Sequence, residues 1–365
     1  MNKKIVNVEE KDNYRIVVIS DTHGHKDVFN RLLDKVDLVE KDHLIILGDF
    51  INRGIDSYET YQFMRKLSER RNTIILKGNH ESFMQRHMVE NEYSEEFFKF
   101  LKQEYYETLI GTIINKSGMD IESLTSSSEM LSYLEKESGE VQSFLSSLPI
   151  MAYFDDMVFV HGGYDEDFII EEDETKYLKY DNYNALAKPN EKAVIVGHWP
   201  TSELRDDRLT NLPYFNDEKN IISIDGGLGV KHTGELNAFI IEKCNGQVNY
   251  RCVQENNFKK KVVKTEHRFD SENLIYLNYP DNEFEVLSKG DEWSECRHIS
   301  SGREFRVFTD LLVESKNGYT TKTNYINNFL NLEMDEVVEL CREFGEYALV
   351  KYKDEFGWLM KYQLS

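Results

Sequence analysis

Five short segments of this chain group carboxylates, amides and imidazoles at close spacing. They are Ser20-Asp21-Thr22-His23-Gly24-His25, Gly48-Asp49-Phe50-Ile51-Asn52-Arg53-Gly54, Lys77-Gly78-Asn79-His80-Glu81, His161-Gly162-Gly163 and Gly197-His198-Trp199-Pro200. Oxygen and imidazole donors without a thiolate form a hard-to-borderline set, which suits manganese, iron or zinc better than copper. Their number is enough for two ions, with Asp21, His23 and Asp49 around one, Asn79, His161 and His198 around the other, and Asp49 shared. Two divalent cations about 3.5–4 Å apart are the standard device for in-line attack of an activated water on phosphorus. A single Asp-x-His or a lone histidine is more often structural than ligating. Five such pieces in one chain, each behind a strand-like run, point to a site.

The runs that precede them are Tyr14–Ile19, His43–Leu47, Thr73–Leu76, Met157–Val160 and Ala193–Val196. All are short and rich in β-branched and aliphatic residues, with little alternation, as in strands buried on both faces. Between the first three lie helical patterns over Val28–Val36 and Tyr58–Ser68, and another opens near Glu81. The expected fold class is α/β, layered about a central β-sheet. Ligands in such folds gather at the carboxyl ends of strands, where all five segments lie. Alternate side chains on an extended strand end would let Asp21 and His23 reach one ion.

From Glu90 to Leu148 helical spacing takes over, through Phe97, Phe98, Leu101, Tyr105, Leu109 and Ile113, which predicts a helical insertion over about 90–148. Residues 90–175 hold 21 acidic and 4 basic side chains, or −17 of the total charge of −22. A solvated helix surface is the plain reading of that charge. The sharper one is an acidic rim that selects among substrates. Strand-like runs resume over Ile221–Ile224, Ala238–Ile241 and about Val248–Val253, and Lys259-Lys260-Lys261 reads as a boundary. The division expected is a catalytic domain over 1–258 and a small β-rich domain over 259–365.

The 365 residues carry 66 acidic and 44 basic side chains. A surface so acidic repels a nucleic-acid backbone, so nucleic acid is not an expected partner. Cys244, Cys252, Cys296 and Cys341 form no C-x-x-C pair and read as reduced thiols. The first ten residues lack an apolar core segment, and no run reaches the ~18 apolar residues of a membrane span. A cytoplasmic protein with no membrane partner is expected.

Taken in order, Asp21-x-His23-Gly24, Gly48-Asp49-x-x-Asn52-Arg53-Gly54, Gly78-Asn79-His80-Glu81, His161-Gly162-Gly163 and Gly197-His198 resemble the motifs of calcineurin-like metallophosphoesterases. Within that superfamily they resemble the phosphoprotein phosphatase branch. The resemblance covers about residues 14–245. It implies that Asp21, His23, Asp49, Asn79, His161 and His198 hold two divalent metal ions, manganese first and iron or zinc after it, with Asp49 as the bridge. It further implies that His80 protonates the leaving oxygen and that Arg53 clamps the phosphoryl oxygens, roles that suit an imidazolium acid and a forked guanidinium. The C-terminal third resembles bacterial SH3-like modules only through Leu349-Val350-Lys351 and Gly357-Trp358, and a protein partner is its expected role.

One position departs from the pattern. Protein phosphatases carry Asp where this chain has Asn52, and that carboxylate orients the catalytic histidine and supports its charge. Asn52 can accept a hydrogen bond through its amide oxygen but brings no charge, so a weaker acid is expected. The substrate expected first is a serine/threonine phosphoprotein, in keeping with Glu81 and the acidic insertion. Symmetrical dinucleoside tetraphosphatases also lack Asp at this position and share Gly197-His198-Trp199, which makes diadenosine tetraphosphate the alternative, with other small phosphoesters behind it. Arg205, with Arg208, is a candidate second clamp on the substrate. The reading from a different class is a catalytically silent, metal-containing binding protein.

Overall fold

The computed structural model describes residues 4–9, 13–54, 56–89, 98–99, 101–102, 108–167, 173–268 and 274–365. It divides into two compact units. The first is formed by residues 1–200, 212–230 and 235–256, and the second by 201–211, 231–234 and 257–365.

Among the described residues, eleven strands build the first unit: β1 (Ile5–Val8), β2 (Tyr14–Ile19), β3 (His43–Ile46), β4 (Thr73–Ile75), β5 (Met151–Phe154), β6 (Met157–Val160), β7 (Ala193–Val196), β8 (Tyr214–Asn216), β9 (Ile221–Ser223), β10 (Leu236–Cys244) and β11 (Gln247–Glu255). They form two sheets, in the orders β11-β10-β2-β3-β4 and β1-β5-β6-β7-β9-β8. The layered α/β architecture therefore has a double sheet at its centre. In the first sheet β2, β3 and β4 are parallel, and β10 closes antiparallel on β2. In the second, β6, β7 and β9 are parallel.

Successive side chains of a strand point to opposite faces, and here both faces are buried. Ile16, Val18, Ile45, Phe239 and Ile241 from one sheet meet Ala152, Phe154, Phe159, Ile195 and Ile222 from the other in a shared core. The intervening residues Val17, Ile19, Leu44, Ile46, Ala238 and Ile240 face outward onto helices. Those helices include α1 (Lys26–Val36), α2 (Ser57–Leu67), α3 (Asn79–Val89), α4 (Leu109–Lys116), α5 (Ser127–Glu137) and α6 (Gly139–Ser147). Double burial is why these strands read as continuous apolar runs.

The described part of the insertion, α4 to α6, is helical, and Ile110, Ile113, Ile114, Leu134, Val141 and Leu145 join the outer core. Phe97 and Tyr105 lie outside the described residues. Thr108 caps α4, its hydroxyl accepting from Gly111 N–H at 3.0 Å. Strands β1 and β5 lack a clear signature in the sequence. Each has four residues, and β1 is only half-buried.

The second unit is β-rich. It contains a five-stranded antiparallel sheet spanning residues 284–321 and a four-stranded sheet made of Lys259–Val262, Val337–Phe344, Tyr347–Tyr352 and Glu355–Met360. Phe305, Val307, Phe308 and Leu311 lie in its core, beside Trp358. The indole N–H of Trp358 donates to the Ile326 carbonyl at 2.7 Å, so this aromatic residue is a core element rather than the floor of an open groove. Among the described residues, no helix is long and apolar enough to cross a membrane.

Phe159 is fully buried between the sheets of the first unit. Phe159→Ala is expected to cost about 3–5 kcal/mol, read as a lowered urea midpoint at unchanged slope.

Candidate metal centre

All five sequence segments meet at one end of the double sheet. Asp21 and His23 follow β2, Asp49 follows β3, and Asn79 and His80 open α3 directly after β4. His161 and His198 arrive from the other sheet, after β6 and β7.

The backbone makes this convergence possible at a cost. Asp21, His23, Asp49, Asn52, Arg53 and His198 all have left-handed φ values, between 45° and 68°. L-residues disfavour this region by roughly 1–3 kcal/mol each, so the surroundings must impose it. Asp21 and His23 are therefore not brought together by strand alternation, since β2 ends at Ile19 and both lie in the turn beyond it.

Backbone bonds between loops impose the shape. Asp21 N–H donates to Gly48 O at 3.1 Å, His23 N–H to Asp49 O at 2.9 Å, and Gly24 N–H to Phe50 O at 2.9 Å. Glu81 contributes most. Fully buried, it accepts from Asp49 N–H at 2.7 Å, Phe50 N–H at 3.0 Å, Ile51 N–H at 3.3 Å and Gly78 N–H at 2.9 Å. The bond to Gly78 is the reach-back of a capping box, satisfying an N–H that α3 leaves without a partner. His80 N–H, in the same helical turn, donates to Asp49 Oδ1 at 2.9 Å. A β-carbon on Gly78 would collide with Asp49, and one on Gly197 with Ser20 and Asp21, so both glycines are steric requirements.

Two donor groups share Asp49. His23, Asp49 and His80 offer ligand atoms within 4.8 Å of one another, as do Asp49, His161 and His198. His161 Nε2 lies 3.2 Å from Asp49 Oδ2 and 3.1 Å from Asn79 Oδ1. The Nδ1 atoms of His161 and His23 lie 3.0 and 3.3 Å from the carbonyls of Leu47 and Ile51. Those outer bonds leave each Nε2 as the donor facing inward, the usual way a ligating imidazole is oriented. Asp21 Oδ1 is 3.8 Å from His23 Nε2, while its Oδ2 accepts from Ser20 Oγ and, at 3.0 Å, from His198 N–H.

The charge balance asks for cations. Burial raises Asp21 to about 6 even with His161 beside it. Burial alone would strip His161 of its proton, but Asp49 and Asp21 push it up to about 9. Burial, then the Asp49 charge, pushes Glu81 up, against the N–H donors that hold it as a carboxylate. In contrast, burial lowers His23, His80 and His198, the last to about 4, leaving neutral imidazoles with a lone pair to give. Crowded carboxylates with neutral imidazoles are the state in which a site accepts a divalent ion. The chemistry of this donor set fits a pair of divalent ions, which Asp21, His23, Asp49, Asn79, His161 and His198 would hold. When bound, such a pair supplies water activation and neutralises phosphoryl charge.

Arg53 is exposed, and its charge acts on both His23 and His80. Arg205 belongs to the second unit, where its guanidinium donates to the Thr201 carbonyl at 2.9 Å.

Residues 14–224 match the calcineurin-like phosphoesterase family. The chain belongs to that family. This phosphoesterase is 36% identical over 69 residues to a Caenorhabditis elegans protein named as a serine/threonine-protein phosphatase. The match covers 18% of this chain and about a fifth, 19%, of that relative. Among solved structures it resembles a protein described as a diadenosine tetraphosphatase at 15% identity and TM-score 0.43, covering 68% of this chain and 97% of that one. It also resembles a serine/threonine phosphatase of Saccharomyces cerevisiae at 15% identity and TM-score 0.40, covering 71% and 87%.

Three features of the phosphoesterase centre escaped the sequence reading. Glu81 was noticed as part of a motif but not as the organiser of the loops. Asp225 is buried after β9, and burial with the nearby Asp21 charge pushes it well up. Its signal was available, since Asp225-Gly226-Gly227 follows a strand as the other segments do. Asp181, whose Oδ1 lies 3.1 Å from His198 Nε2, had none, because it comes from a loop between Tyr180 and Tyr183.

Two outcomes are expected. Glu81→Gln offers one acceptor oxygen to four N–H donors and turns an amide donor against the rest. Manganese affinity should fall about 10–100-fold by calorimetry, and stability by about 1–3 kcal/mol. Because His161 holds its proton up to about 9 in the metal-free protein, binding must displace it, and apparent affinity should rise about tenfold per pH unit from neutrality and level off above that value.

Proposed function

We propose that this phosphoesterase is a hydrolase that transfers a phosphoryl group to water with two divalent ions, manganese foremost. The observation that supports it is the shared Asp49, with His23 on one side and His161 and His198 on the other. The residues divide the remaining work. Arg53 offers a forked donor to the phosphoryl oxygens, stabilising charge that builds in the transition state. His80, its side chain 20% exposed with Nε2 4.0 Å from Asp49 Oδ2, would meet the leaving oxygen.

Two substrates each have an observation in their favour. The acidic balance of residues 90–175 suits a serine/threonine phosphoprotein better than a polyanion. Glu81 adds nothing to that reading, because its oxygens are occupied by backbone N–H groups. A dinucleoside tetraphosphate is favoured by Asn52, whose uncharged amide stands where an acid-supporting carboxylate would serve a poor leaving group. The β-rich unit is proposed to dock a protein partner.

The test is manganese-dependent phosphate release from phosphoserine and phosphothreonine peptides, run beside cleavage of diadenosine tetraphosphate. His80→Asn should lower turnover of the preferred substrate about 10²–10³-fold. Peptide turnover lost in the variant supports a regulatory phosphatase, and symmetrical nucleotide cleavage supports the alternative. Silence on both in a metal-loaded protein would leave a binding protein.

A further inference from the structure

The Asn52 side chain makes two bonds of opposite sense. Its Oδ1 accepts from Leu109 N–H at 2.9 Å, and its Nδ2 lies 3.1 Å from His80 Nδ1. The two ends of an amide are told apart by their partners, and a backbone N–H can only donate. The oxygen therefore belongs to Leu109, and the NH₂ group faces the ring. Leu109 has this N–H to give because it is the first residue of α4, behind the Thr108 cap, where a helix supplies no internal acceptor. A donor aimed at His80 Nδ1 requires a lone pair there. The ring proton must then sit on Nε2, the nitrogen turned toward Asp49.

We propose that the Leu109 N–H, acting through Asn52, fixes His80 as its Nε2–H tautomer, and that the enzyme therefore favours leaving groups that depart without a proton, phosphoanhydrides and aryl phosphates ahead of serine or threonine phosphates. The substrate half rests on the hydrolase reading above. A second ring proton would set Nδ1–H against the Asn52 N–H, so His80 offers a hydrogen bond from Nε2 rather than transferring a proton. In the step itself the water oxygen forms the new P–O bond and the P–O bond to the leaving group breaks. The bonding pair stays on the leaving oxygen, and the protons of the water pass to solvent. A phosphate carries that pair readily, its last proton titrating near about 6, and a phenolate does so at about 10. An alkoxide does not. Asn52 and Leu109 are thus positioning residues, and the insertion reaches the chemistry through one backbone N–H.

The test combines ¹⁵N–¹H NMR of histidine-labelled full-length protein, metal-free and zinc-loaded, with turnover of an aryl phosphate series and a phosphoserine peptide. His80→Asn assigns the resonance. Wild type and Leu109→Ala, which keeps the N–H, should both show Nε2–H. Leu109→Pro removes the N–H at a helix position that accommodates proline, frees the amide to turn, and should give a tautomer mixture. Asn52→Asp should give Nδ1–H and raise turnover of the poorest leaving groups about tenfold or more relative to the best. If Leu109→Pro does not fold, the other two variants decide the matter. A wild-type Nδ1–H tautomer overturns the proposal, as does an equal leaving-group dependence in wild type and Asn52→Asp. Absence of all phosphoryl turnover in the wild type overturns the hydrolase reading and the substrate half with it, while the NMR still decides the tautomer.

Discussion

The centre depends on holding the Gly48–Gly54 loop in a backbone shape it would not adopt alone. Asp49, Asn52 and Arg53 are all left-handed there. One buried carboxylate, Glu81, gathers three successive N–H groups of that loop and a fourth from Gly78. Strain of this kind persists only where the surroundings over-determine it. The carboxylate does so from the first turn of α3, the same turn that carries Asn79 and His80. Asn79, His80 and the loop are consequently set by a single rigid element, which suits a site that must hold its geometry closely.

The charge pattern follows from that geometry. Bringing Asp21, Asp49 and Asp225 together out of water is unfavourable unless positive charge joins them. In the protein without ions, a proton on His161 answers part of the need, which is why its basicity rises while its histidine neighbours lose theirs. The centre is built for a charge that the polypeptide does not carry.

Much of this was legible in the sequence because strand ends in an α/β layered fold are where side chains converge. Reading five polar segments behind five apolar runs was enough to expect them to meet, and His23, Asp49, His161 and His198 do so in two groups that share Asp49. The double sheet was not legible. Strands buried on both faces look the same whether the layer beyond is helix or sheet, and β1 and β5 are too short to show a pattern. Nor could the sequence say which way the Asn52 amide points, because Leu109 lies 57 residues away and contributes only its backbone. Asp181 was hidden for a similar reason, since its role comes from a loop meeting His198 rather than from any local spacing.

The donors come from both sheets: Asp21, Asp49 and Asn79 from one, His161 and His198 from the other. An ion coordinated from both sides is therefore a fastener across the seam of the sandwich. Whatever binds only the folded form adds stability that grows with the logarithm of its free concentration, about 2.7 kcal/mol at a hundredfold excess over Kd. The stability of the seam would thereby follow the supply of the ion. Loaded and unloaded protein would keep the same apolar core between the sheets and differ by that clasp alone.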